Sequence, residues 1–329
     1  MKKITKFMFA IIIGFVAIEN VHAEVVLNLF NLYAQAEGES PNGNYRVMRT
    51  LSGQDDAEIM DIVIRGTEEH AFCVDLGVTL NAIDQNNHGY NNTTTLANYL
   101  AAGGLSSQKA TEVAKKINEY LYFGWGYNGQ SGYKYHLAVQ KLIWDELYNA
   151  GYNTRHDSST VSFYQKGDGV GIDVTTEMNK VKSNITNYYK TPSFCSSSSK
   201  LDLKINESTT YTDSNNVLSG YEVNCTGGIK CEKNGNNLKV TATSEGKNNK
   251  ITFTKNGAGT GGVLYTKTNF QGVITNHGKV EPVTCTFGID THKEIIPENP
   301  KTGTIAIVFA WITGLVAIGF SVFYFKKTF

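Results

Sequence analysis

Gln140 occupies a position where an amphipathic helix normally carries an apolar side chain. The segment YHLAVQKLIWDEL, residues 135–147, has Leu137, Trp144 and Leu147 at helical spacing. Gln140 falls inside that stripe, three residues after Leu137 and four before Trp144. A buried carboxamide needs partners for its oxygen and for both N–H groups, and leaving them unmet costs roughly 1–3 kcal/mol. The helix therefore requires a specific partner for the amide of Gln140.

The second unusual residue is a cysteine. The chain has five cysteines, and an odd number in an exported protein leaves one without a disulfide partner. Four lie in the C-terminal half, where three pairings are open. We expect Cys225 and Cys231 to bridge the intervening Gly-Gly turn. Cys195 and Cys285 would then close the same segment. Cys73, in HAFCVDLGV, stays single, either as a buried small side chain or as a reactive group.

Strands and helices of an N-terminal domain have to position these two residues. Residues 24–92 have strand-like patterns, and the run AFCVDLGVTL is a predicted strand that carries Cys73. Pro192 and the serines at 196–199 mark the end of this domain. A helical period appears in three segments, residues 106–123, 135–147 and, more weakly, 173–189.

The surroundings of both residues resemble the thioester domain of Gram-positive surface adhesins. Phe72-Cys73 on a strand is similar to the aromatic-cysteine pair of that family. Residues 139–144, Val-Gln-Lys-Leu-Ile-Trp, resemble its glutamine motif on a helix, although Val139 stands where the family more often has threonine. The stretch YLYFGWGYN is also similar to an aromatic, glycine-rich stretch of the family. The resemblance covers about residues 25–192.

The resemblance implies an internal thioester between the Cys73 sulfur and the Gln140 side-chain carbonyl, formed with loss of ammonia. Such a bond would account for both unusual residues at once. Thiolate leaves more readily than an amide nitrogen, so an amine would attack the bond, form a stable amide and release the thiol. No cofactor and no metal is expected. We expect a water-excluding pocket, in which Asp75 and His136 could orient or deprotonate the amine, made of Phe72, Asp75, Tyr122, Trp125, Tyr127, His136 and Trp144.

The two ends of the chain indicate export and anchoring. MKKITKF, the apolar run MFAIIIGFVAI and ENVHA predict a signal peptide at residues 1–23. Residues 304–325 carry no charge, which predicts a transmembrane span. Lys326 and Lys327 follow at once and place the tail, residues 326–329, in the cytoplasm.

The five residues before the span, Asn299-Pro300-Lys301-Thr302-Gly303, resemble the LPXTG sorting signal of Gram-positive surface proteins. The resemblance implies cleavage by a sortase between Thr302 and Gly303. Thr302 would then be attached to peptidoglycan or to a pilin. We therefore expect a secreted protein anchored to the cell wall of a Gram-positive bacterium.

These features predict a fold in two parts. An α+β thioester domain, with a β-sandwich or barrel part and a helical part, would occupy residues 24–192. Short strands separated by Gly and Asn turns predict an all-β, immunoglobulin-like sandwich at residues 193–292. Residues 293–303 form the sorting linker, followed by the C-terminal transmembrane helix.

The composition argues against several other classes of protein. Without its two ends the chain keeps 25 basic and 29 acidic residues, a formal charge of −4 with no basic run. Nucleic-acid binding is therefore not expected. The sequence contains neither zinc-type Cys/His spacing nor a phosphate-binding loop.

Three functions remain open at this point. The first is an adhesin that reacts once with an amine, expected to be that of a lysine, on a host surface, matrix or plasma protein, and is therefore not an enzyme. The second is a structural surface or pilus-tip subunit in which the bond is only a brace, since closing the 67-residue separation would stabilise the fold by about 4 kcal/mol. The third is a cysteine hydrolase or transpeptidase with Cys73 as nucleophile and His88 or His136 as base.

Overall fold

The computed structural model describes residues 25–31, 46–49, 56–64, 69–78, 80, 86–152, 157–165, 170–196 and 201–294. The protein is a mixed α+β protein over these residues. The signal peptide, the sorting motif with Thr302 and Gly303, and the predicted span at 304–325 lie outside them. Among the described residues, no helix combines the length and the apolar character that crossing a membrane requires.

Up to Tyr189, the described chain forms five strands, then three α-helices, then two strands and a fourth α-helix. In the described part of this region the strands are β1 (Val25–Asn31), β2 (Arg46–Arg49), β3 (Asp56–Ile64), β4 (Glu69–Cys73), β5 (Asn86–Tyr90), β6 (Ser162–Gln165) and β7 (Gly171–Ile172). The helices are α1 (Leu96–Ala102), α2 (Ser107–Phe123), α3 (Tyr133–Asn149) and α4 (Thr175–Tyr189).

From residue 201 to 294 the regular structure is β apart from a short 3₁₀ helix at Leu218–Gly220. The strands are β8 (Leu201–Lys204), β9 (Ser208–Thr212), β10 (Glu222–Thr226), β11 (Ile229–Asn234), β12 (Asn237–Ala242), β13 (Gly246–Lys255), β14 (Ala258–Gly259), β15 (Leu264–Tyr265), β16 (Val273–Thr275), β17 (Lys279–Val280) and β18 (Val283–His292).

The chain divides into two compact units. The second unit is discontinuous in sequence, because residues 254–284 belong to the first. Unit 1 runs to Thr191 and includes Thr254–Thr284, whereas unit 2 contains Pro192–Phe253 and the chain from Cys285 onward. The prediction of one continuous β-domain at 193–292 is corrected accordingly. Short strands such as β15 and β16 show a strand period in the sequence, but the period does not specify which sheet they join.

The sheet of unit 1 places Cys73 between two strands. Its order is β15-β16-β4-β3-β2-β6-β7, and β1 pairs with both β3 and β5. On one side of β4, Ala71 lies opposite Ile62 of β3. On the other side Cys73 lies opposite Val273 of β16, a residue contributed by the inserted segment 254–284. The strand that carries Cys73 is therefore completed by a segment 200 positions later in the chain.

The first two helices are fixed by capping and by one buried face each. The Ser106 side chain accepts a hydrogen bond from Lys109 N at 3.3 Å where α2 begins. Thr95 does the same for α1 through Asn98 N at 3.2 Å. The buried face predicted for residues 106–123 is confirmed, whereas the seven-residue α1 is too short to give a clear helical period in the sequence.

The inserted segment is held against α2 by close backbone contact. Gly262 N donates a hydrogen bond to Asn118 Oδ1 at 2.9 Å. At Gly278 an added Cβ would overlap the backbone of Tyr122 and Asn118, so only glycine fits at this contact. Asn276 N also donates to the carbonyl of His70 on β4 at 2.8 Å. The segment thus forms part of the framework of unit 1.

The described part of unit 2 forms two sheets with an aromatic contact between them. One has the order β10-β13-β18-β8 and the other β11-β12-β9. Tyr211 of the second sheet and Phe287 of the first lie with ring centroids 5.6 Å apart. Phe194 contacts both rings. Apart from two short 3₁₀ helices, the regular structure in the described residues of unit 2 is β as expected, and its immunoglobulin-like class stays a prediction.

Both disulfides expected from the sequence are present. Cys195 is bonded to Cys285 and Cys225 to Cys231. Gly227, with φ of 91°, makes the turn inside the second bridge. Cys73 is the free cysteine among the described residues.

We predict that the two disulfides differ in their contribution to stability because they close loops of 90 and 6 residues. On the chain-entropy relation, replacing Cys195 and Cys285 by alanine lowers the free energy of unfolding of unit 2 by about 4–5 kcal/mol. The matched Cys225→Ala/Cys231→Ala variant loses about 2 kcal/mol. Urea denaturation followed by circular dichroism measures both losses. Equal losses would contradict the prediction.

Candidate functional site

The carboxamide of Gln140 is bonded to the backbone of Cys73. Gln140 Oε1 accepts a hydrogen bond from Cys73 N at 2.8 Å. Gln140 Nε2 donates to the Cys73 carbonyl oxygen at 2.7 Å. Only 2% of Gln140 is exposed. The oxygen and one N–H group of this amide are therefore satisfied by Cys73, the other residue that the sequence singled out.

Helix α3 fixes the orientation of Gln140. Leu137, Val139 and Ile143 have no solvent exposure. Their packing fixes the helix on the sides that flank the glutamine. Leu137 packs in a cluster at whose edge Cys73 lies. Cys73 is the last residue of β4. A strand end and a helix interior thus meet at these two side chains.

The Cys73 thiol lies in surroundings that favour its protonated form. Its pKa is raised to about 12, first because burial removes solvent from the sulfur and then because the Asp75 carboxylate lies nearby. A hydrogen bond from the Gln271 side chain acts in the opposite direction. The thiol is therefore neutral at physiological pH.

Asp75 anchors the turn that follows β4. Its Oδ2 accepts hydrogen bonds from the Tyr99 hydroxyl at 2.6 Å and from Gly272 N at 2.8 Å. Its Oδ1 accepts from the Tyr152 hydroxyl at 2.9 Å. Both carboxylate oxygens are occupied by protein donors, and this arrangement supports a structural role for Asp75 more directly than contact with an incoming amine.

Four rings form a continuous cluster beside β4. His136 stacks on Phe72 with centroids 4.5 Å apart. Trp125 meets His136 edge-on at 4.8 Å. His70 lies 4.5 Å from Trp125. Three residues predicted for the pocket, Phe72, Trp125 and His136, are therefore brought together, and His70 joins them without having been predicted.

The other predicted pocket residues lie in two different places. Trp144 belongs to the apolar cluster that borders Cys73. Tyr122 and Tyr127 instead pack around Phe123, with centroids 4.9 Å from it. That separate cluster also contains Val181 of α4. The aromatic stretch at the end of α2 and directly after it thus divides its rings between two cores, a division that residue type alone does not indicate.

Gln271 is a site residue that the sequence analysis did not identify. It precedes β16 in the inserted segment, and only 8% of it is exposed. Its position beside Cys73 depends on the pairing of Val273 with Cys73. The available signal was a polar residue directly before the apolar run of QGVIT, but no local pattern connects that run to β4.

No three side chains of His, Cys, Asp and Glu are arranged to hold a metal ion in the part of the chain that the structure describes. His88, a candidate base in the hydrolase hypothesis, belongs to β5. Its side chain is not among those described.

We predict that Asp75→Ala destabilises unit 1 because it leaves the hydroxyls of the half-buried Tyr99 and the buried Tyr152 without their acceptor. The expected loss in the free energy of unfolding is about 2–4 kcal/mol. Tyr152→Phe removes one bond together with its donor and should cost about 1 kcal/mol. Denaturant titration monitored by tryptophan fluorescence tests both values, and an Asp75→Ala protein as stable as Tyr152→Phe would contradict the proposed anchoring.

Solved thioester domains resemble this chain. The thioester domain of the Staphylococcus aureus TIE protein matches with a TM-score of 0.45 and 18% identity, over 83% of this chain and 100% of that one. The Bacillus anthracis TIE protein matches with 0.34 and 12%, over 82% of this chain and 49% of that one. The thioester domain of the Enterococcus faecium TIE86 protein matches with 0.23 and 13%, over 82% and 94%. No protein-family model and no curated protein matches the sequence. At these identities the chemistry has to be derived from the Cys73–Gln140 pair itself.

Proposed function

We propose that Cys73 and Gln140 form an internal thioester through which the protein bonds covalently to an amine on another protein. The observation that carries this proposal is the pair of hydrogen bonds, at 2.8 and 2.7 Å, that holds the Gln140 carboxamide against Cys73. Two residues 67 positions apart are thereby brought into register as nucleophile and acyl group.

The two hydrogen bonds have distinct roles in forming the bond. As the thiol attacks the carboxamide carbon, negative charge develops on Gln140 Oε1, and Cys73 N–H already donates to that oxygen. Gln140 Nε2 is held by the Cys73 carbonyl and leaves as ammonia. The balance is thiol plus carboxamide giving thioester plus NH₃. The N–H donor thus serves as an oxyanion hole built from the nucleophile's own backbone.

The thioester is then the electrophile for an incoming primary amine. The amine nitrogen attacks the Gln140 carbonyl carbon, an amide forms, and Cys73 is released as a thiol. Water would compete for the same carbon. The buried rings of Phe72 and His136 and the buried Trp144 reduce the access of water.

The cysteine hydrolase is the less suitable alternative. Such an enzyme needs a thiolate at neutral pH, typically at a helix N-terminus or beside a cation. Cys73 instead ends a strand, and burial raises its pKa to about 12. A thioester that reacts once fits these surroundings better than a cysteine nucleophile that catalyses many turnovers.

A structural brace is the second candidate, and the large loop favours it. Closing the 67 positions between Cys73 and Gln140 would stabilise unit 1 by about 4 kcal/mol whether or not the bond reacts. Only reaction with an amine separates the two functions.

The setting that we propose follows from the chain ends. A sortase would cleave between Thr302 and Gly303 and attach the protein to peptidoglycan or to a pilin, with a pilus tip as one placement. The target would be a lysine of a host surface, matrix or plasma protein. The protein would act as an adhesin that forms one bond per molecule.

The mass of the intact chain tests the proposal. We expect the full chain, purified in detergent, to be about 17 Da lighter than its disulfide-bonded sequence mass because ammonia is lost. Cys73→Ala and Gln140→Ala, which keep both disulfides, should show no deficit. Methylamine should then add about 31 Da to the wild type alone.

Each result separates the candidate functions. A deficit without methylamine addition would support the brace. An undiminished mass with a titratable thiol at Cys73 would contradict the thioester altogether. Peptide mapping of the methylamine product should place the added group on Gln140.

A further inference from the structure

A second glutamine reaches the reacting sulfur. Gln271 is 8% exposed and comes two residues before Val273, which pairs opposite Cys73. Hydrogen bonding from its side chain lowers the pKa of the Cys73 thiol. Gln140 is instead hydrogen-bonded to the Cys73 backbone.

The backbone on both sides of Gln271 is tied to the Cys73 region. Val74 N donates to the Gly272 carbonyl at 2.9 Å. Gly272 N donates to Asp75 Oδ2 at 2.8 Å. Val273 then pairs opposite Cys73. Three consecutive residues of β4 and its turn thus hold the segment in register, so Gln271 is positioned before any reaction takes place.

We propose that Gln271 is a catalytic residue of the thioester chemistry, donating its side-chain N–H to the Cys73 sulfur. When the thiol loses its proton to attack Gln140, the donor stabilises the developing thiolate. When an amine attacks the completed thioester, the same donor stabilises the departing thiolate until it takes up a proton. This inference rests on the proposed thioester and names a residue that would accelerate both of its steps.

The electrostatics of the site explain why such a donor is needed. Burial and the Asp75 carboxylate both disfavour negative charge on the sulfur. The Gln271 amide is neutral, so it aids the charged sulfur without requiring a buried cation. A thioester sulfur accepts hydrogen bonds only weakly, whereas a thiolate accepts them strongly. The interaction is therefore stronger in the transition state than in the resting thioester, as catalysis requires.

The experiment follows the re-formation of the bond. Treating the full chain with ammonia opens the thioester and restores Gln140 and the thiol. After the ammonia is removed, the intact mass falls again by about 17 Da as the thioester re-forms. This fall is followed over time at several pH values. Gln271→Met keeps the length and volume of the side chain but has no donor. Gln271→Glu places a carboxylate at the sulfur. Thr268→Ala alters an exposed residue of the same turn and is the matched control.

We expect Gln271→Met and Gln271→Glu to re-form the bond about 10–100-fold more slowly than wild type, as for a lost hydrogen bond to a charged group. Their rate–pH profiles should move to higher pH because the thiol pKa rises, most strongly for Gln271→Glu. Methylamine should also open the completed bond more slowly. Thr268→Ala should match wild type in all three measurements.

Several results would overturn the inference. One is a wild-type rate and pH profile in Gln271→Met. Another is a slower rate with an unmoved profile, which would assign Gln271 to packing alone. A mass deficit that Gln271→Met abolishes and Gln140→Ala retains would make Gln271 the acyl partner instead. Failure of the proposed function looks different, because the wild type itself would then show no deficit and no methylamine adduct.

Discussion

The reciprocal hydrogen bonding between the Gln140 carboxamide and the Cys73 backbone is the constraint on which the site depends. It requires that a helix interior lie against the end of a strand at hydrogen-bond distance, with no freedom to rotate or slide. The buried residues around Gln140 on α3 prevent rotation. The two neighbours of β4 prevent sliding, because a shift of one residue would turn every side chain of the strand to the opposite face.

A buried polar pair of this kind would normally lower the stability of a hydrophobic core. Here the carboxamide oxygen and one of its N–H groups meet backbone partners, and the nearby Asp75 carboxylate meets three donors. These groups beside Cys73 are thus paired with protein partners, while the adjoining rings and aliphatic side chains keep solvent away. The result is a polar centre fixed within an apolar surrounding, which is the arrangement that a reactive acyl group needs if it is to persist.

Much of this site could be predicted from local patterns. Gln140 was identifiable as an anomaly because the stripe around it has a clear helical period, and Cys73 because the other four cysteines pair among themselves. The helix predicted around Gln140 and the strand predicted around Cys73 are enough to place these two residues. The cluster that Tyr122 and Tyr127 join could not be predicted, because residues on either side of a helix end can face different cores and only tertiary packing decides between them.

The insertion could not be predicted in the same way. Strands β15 and β16 have two and three residues, and their sequences fit the sheet of unit 2 as well as that of unit 1. Their assignment depends on pairing across 200 positions, for which a single sequence carries no signal. Gln271 was missed for the same reason: its chemistry becomes visible only when its strand is placed beside Cys73.

The order of the chain gives the insertion a consequence for biosynthesis. Synthesis proceeds from the N-terminus, so Cys73 and Gln140 are made long before residues 254–284. Until that segment is made, β4 lacks its second neighbour, β16, and Gln271 is absent from the surroundings of Cys73. The order of the segments therefore delays completion of the sheet around Cys73 until most of the chain has been synthesised.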